Sequence, residues 1–287
     1  MKPRSIIDSL VFPEGLRWRE GRLWFCDIEE HRIITATADG EILQTLTVPG
    51  EHMIGLTWDT NGELVMSGRF SRLFRRENGE VRQWADLNRD GGDAWANDVV
   101  IDGRGRLYLS SFGISYDLSD HESNAQRLKD RGKILLWHPD SGARVVADGL
   151  SMPNTLQVTA DGGTLYCCDS FGHRLMRYRV TDDGSLADPT VVARFRSMPD
   201  GSTLDAEGAI WVALPHEGQA RRILPDGQVT DVVTYDQEVF DVTLGGPEGR
   251  TLFAGASTLS ATSEQAGRER RRPGSIQCVE VAVPGAA

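Results

Sequence analysis

Residues 207–215 read EGAIWVALP, and variants of this stretch recur at 20–28 (EGRLWFCDI), 61–69 (NGELVMSGR), 104–112 (RGRLYLSSF), 162–170 (GGTLYCCDS) and 249–257 (GRTLFAGAS). Each copy is a Gly-containing turn, then Leu or Ile, then an aromatic residue or Val, then a small or polar close. Aligned on Leu23, Leu64, Leu107, Leu165, Ile210 and Leu252, successive copies lie 41, 43, 58, 45 and 42 residues apart. A period of ~40–45 residues is that of a four-stranded propeller blade. Helical repeats of similar length compete on period alone, but segments this rich in Trp, Tyr, Phe, Val, Thr and Gly favour strands. The expected fold is an all-β, six-bladed β-propeller.

Working outward from each copy, the preceding apolar run (LRW, IGLTW, DVVID, TLQVT, STLD, DVTL) reads as the innermost strand. A third strand follows as HRIITAT, SRLFRR, GKILLW, HRLMRY, ARRIL and GSIQCVEV. The last repeat lacks a clear fourth strand, whereas SIIDSLVF, at about residues 5–12, stands alone before the first. One domain over 1–287 is therefore expected, with this N-terminal strand completing the last blade and removing exposed edges. The single long interval holds an insertion at about 113–131 (GISYDLSDHESNAQRLKDR), polar and weakly helical at its end.

Residues at equivalent starts of the innermost strands form a ring at one mouth of a propeller. Those positions are Glu14, Ile54, Asn97, Asn154, Asp200 and, in the last blade, Asp241 or Val242. Four of them carry hard oxygen donors that would otherwise need buried partners, although Asn and Asp also satisfy turn backbones. Two carboxylates and two carboxamides suit one axial divalent cation. Calcium fits first, magnesium and manganese next, and zinc, which prefers His and Cys, last.

Other chemistries find no signature. The 287 residues contain no GxSxG, HExxH, P-loop or GxGxxG after a strand, and the four cysteines form no CxxC pair. Forty-two acidic against 31 basic residues give a net charge of −11, which repels phosphate backbones and anionic membranes. Nucleic acid and membrane are thus poor partners, and the basic run RERRR at 268–272 reads as a solvated loop. With no long apolar span and no apolar leader in MKPRSIIDSLVFPEG, the expected location is cytoplasmic.

The fragments FPEGLRW with GRLWFCDI, AND with GRGRLYLSSFG, MPN with GGTLYCCDSFGHRL, MPDGSTLDAEGAIWVA and LGGPEGRTLF resemble, in order and over nearly the whole chain, the gluconolactonase family, also called regucalcin-like or senescence-marker-protein-like. The resemblance implies a six-bladed propeller with one axial divalent cation that hydrolyses lactones or related esters. By motif position it makes Glu14, Asn154 and Asp200 metal ligands and places Asn97 beside metal and substrate. These are the residues that the repeat register selects.

The chain departs from the family pattern in two places. Where sugar-lactone relatives resemble one another in Arg-x-Asn-Asp-Gly, this chain has Trp95-Ala96-Asn97-Asp98-Val99, and Thr155 stands where Gly is usual. A flat apolar ring at Trp95 favours a lactone or ester less polar than a sugar lactone. Asp200 is expected to serve as general base or nucleophile, Asn97 to orient carbonyl or water, and His121, in the insertion, to touch substrate. A non-catalytic calcium binder, a metal-free scaffold, and an organophosphate or aryl-ester hydrolase are the alternatives.

Overall fold

The computed structural model describes residues 2–48, 50–87, 94–116, 121–258 and 274–286, without the side chains of residues 121 and 122. Strand β1 (Arg4–Leu10) comes first. The first sheet contains β2 (Pro13–Arg19), β3 (Arg22–Asp27), β4 (Arg32–Ala36) and β5 (Ile42–Thr47), and the second β6 (Met53–Trp58), β7 (Leu64–Gly68), β8 (Arg72–Glu77) and β9 (Glu80–Asp86). The third contains β10 (Ala96–Ile101), β11 (Leu107–Ser111), β12 (Gly132–His138) and β13 (Gly142–Leu150), with α1 (His121–Arg127) between β11 and β12. The fourth contains β14 (Pro153–Val158), β15 (Thr164–Asp169), β16 (Arg174–Val180) and β17 (Leu186–Arg194). The fifth contains β18 (Ser202–Leu204), β19 (Ile210–Leu214), β20 (Gln219–Ile223) and β21 (Val229–Thr234), and the sixth β22 (Glu238–Gly245), β23 (Thr251–Ser257) and β24 (Gly274–Glu280).

Each sheet is antiparallel, and strands follow one another in chain order except in the sixth, which runs β1-β24-β23-β22. There Arg4 pairs with Cys278 and Leu10 with Gly274, so the first strand of the chain covers the edge of the last. Six four-stranded sheets in succession make the fold an all-β, six-bladed propeller. Among the described residues, no helix is long and apolar enough to cross a membrane. The basic run at 268–272 lies outside the described residues.

The repeat is visible in the sequence because of how its strands are covered. Strands β7, β11, β19 and β23 are buried from end to end, so both faces must be apolar or small. The fourth strands β5 and β21 are mostly exposed and carry little pattern. Two compact units result, one of residues Met1–His52 with Asp200–Ala287 and the other of Met53–Pro199. Within the first, Trp211, Tyr235, Val242, Leu244 and Leu252 fill the space between the fifth and sixth sheets. Within the second, Tyr108, Ile134, Leu156, Leu165 and Tyr178 do the same for the third and fourth. Cys167 and Cys168 are both fully buried, small core residues.

Candidate functional site

The first strand of each blade takes in one residue more than its partner. In β6 the pairing jumps from Met53↔Gly68 to Leu56↔Met66, in β10 from Ala96↔Ser111 to Val99↔Leu109, and in β14 from Pro153↔Asp169 to Leu156↔Cys167. The same jump follows Glu14 in β2 and Val239 in β22. Ahead of β18, Asp200 N donates to Ala213 O at 3.0 Å and Ala213 N to Gly201 O at 2.8 Å. Two residues therefore face one across each bulge. The pairs are 14–15, 54–55, 97–98, 154–155, 200–201 and 240–241, and the facing residues Cys26, Ser67, Ser110, Cys168, Ala213 and Gly255 are all small. The sixth blade corrects the sequence reading: Phe240 holds the position equivalent to Glu14, and Asp241 stands one residue later.

In two of the pairs the second residue is an aspartate that joins blades. In one unit, Asp98 Oδ2 accepts a hydrogen bond from Leu156 N at 3.0 Å, and a Cβ on Gly55 would lie 2.6 Å from Asp98 Oδ1. In the other, Asp241 Oδ2 accepts from Leu16 N at 2.6 Å, and a Cβ on Gly201 would lie 2.0 Å from Asp241 Oδ1. Each buried aspartate fills the space left by a glycine of the blade before and holds the backbone of the blade after. The sequence reading missed this pair. Its signal was an Asp one residue after the ring position in two blades and Gly at that place in the blade before each.

The first residue of each pair carries the oxygen donors. Glu14 and Asp200 belong to one unit, the former buried and the latter half-buried; β2 and β18 each pack on β22. Asn97 and Asn154 belong to the other, on adjacent blades tied by Asp98. Ile54 and the buried Phe240, which packs edge-on against Phe12 at 4.9 Å, leave the remaining two blades without a donor. Among the described residues there is no group of three or more His, Cys, Asp or Glu that could hold a metal. The expected set contains only two such residues, its other members being carboxamides.

Asn154 is oriented by its neighbours. Ser170 Oγ donates its single proton to Pro199 O at 2.7 Å, so its 3.3 Å contact with Asn154 Nδ2 must be a donation by the amide. The carboxamide oxygen is thereby turned away from Ser170. A cation held by that oxygen would not compete with Ser170, and an oxygen-only donor set fits calcium chemistry. Beside Ser170, Asp169 accepts from Ser151 N at 2.7 Å and from Arg174; burial raises its carboxyl, with Arg174 opposing.

Beside Asn97 stands an aromatic wall. Ala96 N donates to Arg69 O at 2.8 Å, and the Arg69 guanidinium lies 4.4 Å from the Trp95 ring centroid. Phe70 meets Trp95 edge-on at 6.3 Å, and Tyr116 lies 5.8 Å from it. Trp95 is thus not the bare apolar surface that the sequence suggested, because a guanidinium from the preceding blade covers it. His121 opens α1, and its side chain lies outside the described residues.

A model of the SMP-30/Gluconolactonase/LRE-like region matches residues 12–258. The chain belongs to that family. A 6-deoxy-6-sulfogluconolactonase from Pseudomonas putida is 25% identical to this family member over 276 residues, 94% of this chain and 90% of its own. Among solved structures, a luciferin-regenerating enzyme superposes with a TM-score of 0.82 at 18% identity, covering 99% of this chain and 97% of its own. A calcium-binding protein, regucalcin, from Agrobacterium tumefaciens str. C58 gives 0.74 at 20% identity over 97% and 94%. These structural likenesses establish the family fold in this chain.

Proposed function

We propose that this chain is a divalent-cation-dependent hydrolase that opens a lactone or related ester, with calcium as the cation. The observation that supports this reading best is the recurrence of oxygen donors at one bulge position, with Asn154 meeting Ser170 through its amide nitrogen rather than its carbonyl oxygen. Glu14, Asn154 and Asp200, with Asn97, would hold the ion. When bound, it would supply Lewis-acid stabilisation of charge developing on the substrate carbonyl oxygen. Asp200 takes the proton of the attacking water, since calcium acidifies water too weakly to dispense with a base. Asn97 donates from its amide to orient carbonyl or water. The family assignment and the lactone in the Pseudomonas relative's name support lactone chemistry. Trp95, standing where sugar-lactone relatives resemble one another in Arg, takes one hydroxyl-gripping donor from that position, which favours a lactone with fewer hydroxyls than a sugar lactone even though Arg69 covers the ring.

The test is calcium titration of metal-stripped protein by calorimetry, with proton release measured on a lactone and aryl-ester panel. One bound calcium, calcium-restored turnover, and at least about tenfold weaker calcium binding in Asn154→Ala are expected. Full turnover in chelator would sink the reading. Calcium binding without turnover on any ester would leave a non-catalytic calcium binder in its place.

A further inference from the structure

Arg69, a half-buried residue, directly follows β7 and lies next to the start of β10. Its carbonyl accepts from Ala96 N, and Ser67, two residues earlier, donates from its hydroxyl to the Asn97 carbonyl. These bonds fix the backbone around Arg69 relative to Asn97. The side chain then lies on the half-buried Trp95 ring, 4.4 Å from its centroid, while Arg72 lies 5.4 Å over the neighbouring Phe70. Two cations therefore lean on one aromatic wall.

A guanidinium is planar and carries its N–H donors in that plane as a fork, and packing over the Trp95 ring limits how this one can turn. That geometry matches two oxygens of one anion and restricts the rotamers Arg69 would otherwise lose on binding. A chain of net charge −11 repels anions at a distance, so an anionic ligand here must be held by a local group of this kind.

We infer that Arg69, braced on Trp95, is a specificity-determining residue and that the substrate carries an anionic group, most simply a carboxylate, on the side of the lactone ring that meets Trp95. This inference rests on the lactone hydrolase reading given above. A guanidinium carries five N–H donors, so an anion can take some of them while others keep the partners Arg69 has within the protein.

The experiment uses a butyrolactone bearing a carboxylate on the ring carbon next to oxygen, and the matching carboxamide. Wild-type protein should prefer the carboxylate in kcat/KM by about tenfold or more, mainly through KM. Arg69→Gln should lower that preference ratio by about tenfold or more, and Arg69→Lys, which keeps charge but loses the planar fork, should fall between. Equal use of both lactones by wild type, or an unchanged ratio in Arg69→Gln, would overturn the inference. Calorimetric binding of the ring-opened carboxylate product separates the two readings. If no lactone turns over but the product binds wild type and not Arg69→Gln, the anion site stands and the lactonase reading fails. If the product binds neither, the anion site fails. Thermal melts of both variants identify a folding defect, and Arg69→Lys then decides.

Discussion

Asp241 is the residue whose replacement tests the blade-joining role most sharply. Both of its oxygens accept from backbone: Oδ2 from Leu16 N at 2.6 Å and Oδ1 from Val242 N at 2.8 Å. Leu16 is fully buried, and Asp241 itself is only 4% exposed, so water cannot replace either bond. Asparagine has nearly the same shape but offers one acceptor, so its amide must point at one of the two N–H donors. The loss is one charge-assisted bond and one unsatisfied buried donor, together about 1.5–3 kcal/mol. Alanine strands both donors and should be worse. For a chain of this size, about 2 °C per kcal/mol gives a fall in Tm of roughly 3–6 °C for Asp241→Asn. Differential scanning calorimetry at fixed calcium, alongside urea unfolding, measures both variants. An Asn variant within about 0.5 kcal/mol of wild type would mean that the two bonds do not hold the blades and that Asp241 is placed for another reason.

Gly201→Ala would set a methyl 2.0 Å from Asp241 Oδ1 and 2.4 Å from its Cα, against 2.6 and 2.8 Å from Asp98 for Gly55→Ala. Both should destabilise by about 1–3 kcal/mol in urea unfolding, because backbone as well as a side chain must move, and Gly201→Ala more because its contacts are closer. Ser170→Ala removes the acceptor that turns Asn154 and strands Pro199 O, so calorimetry should show calcium binding weakened by about tenfold, with a loss of about 1–3 kcal/mol and a fall in Tm of roughly 2–6 °C. Burial pushes the Tyr108 phenol up to about 12 and those of Tyr178 and Tyr235 higher still. Each holds its proton more tightly folded than unfolded, so their contribution to stability is intact below about pH 10 and falls as pH rises further. Ultraviolet difference titration should show all three silent below about pH 11 in the folded protein, and early ionisation of any would contradict its burial.

Six blades were legible because the second strand is buried from end to end in four of them and nearly so in the other two, which forces an apolar run after every turn. The ring position was legible in the first five blades, Ile54 included, and misread in the sixth, where Phe240 precedes Asp241. A bulge adds one residue, and sequence spacing cannot say on which side of an aspartate the addition falls. Arg69 was invisible for a different reason: its contact with Trp95 joins two blades, and no local pattern records which side chain of one blade lies on a ring of the next.

The bulge also explains why stability and chemistry can be changed separately at adjacent residues. Two residues facing one cannot both continue the strand's alternation, so each pair supplies two side-chain directions from one point of the sheet. One is used by Asp98 and Asp241 to bond the next blade's backbone, and the other by Glu14, Asn97, Asn154 and Asp200 for the proposed cation. Asn97 and Asp98 stand side by side with these different tasks. Asp98→Ala, which strands Leu156 N, should therefore lower Tm by several degrees while leaving calcium binding by the surviving folded protein within about threefold. Asn97→Ala should do the reverse, weakening calcium binding or turnover by about tenfold with a Tm change within about 1–2 °C in the absence of calcium. If both variants lose stability and calcium in the same proportion, the two positions form one cooperative structure and the division of labour along the bulge is wrong.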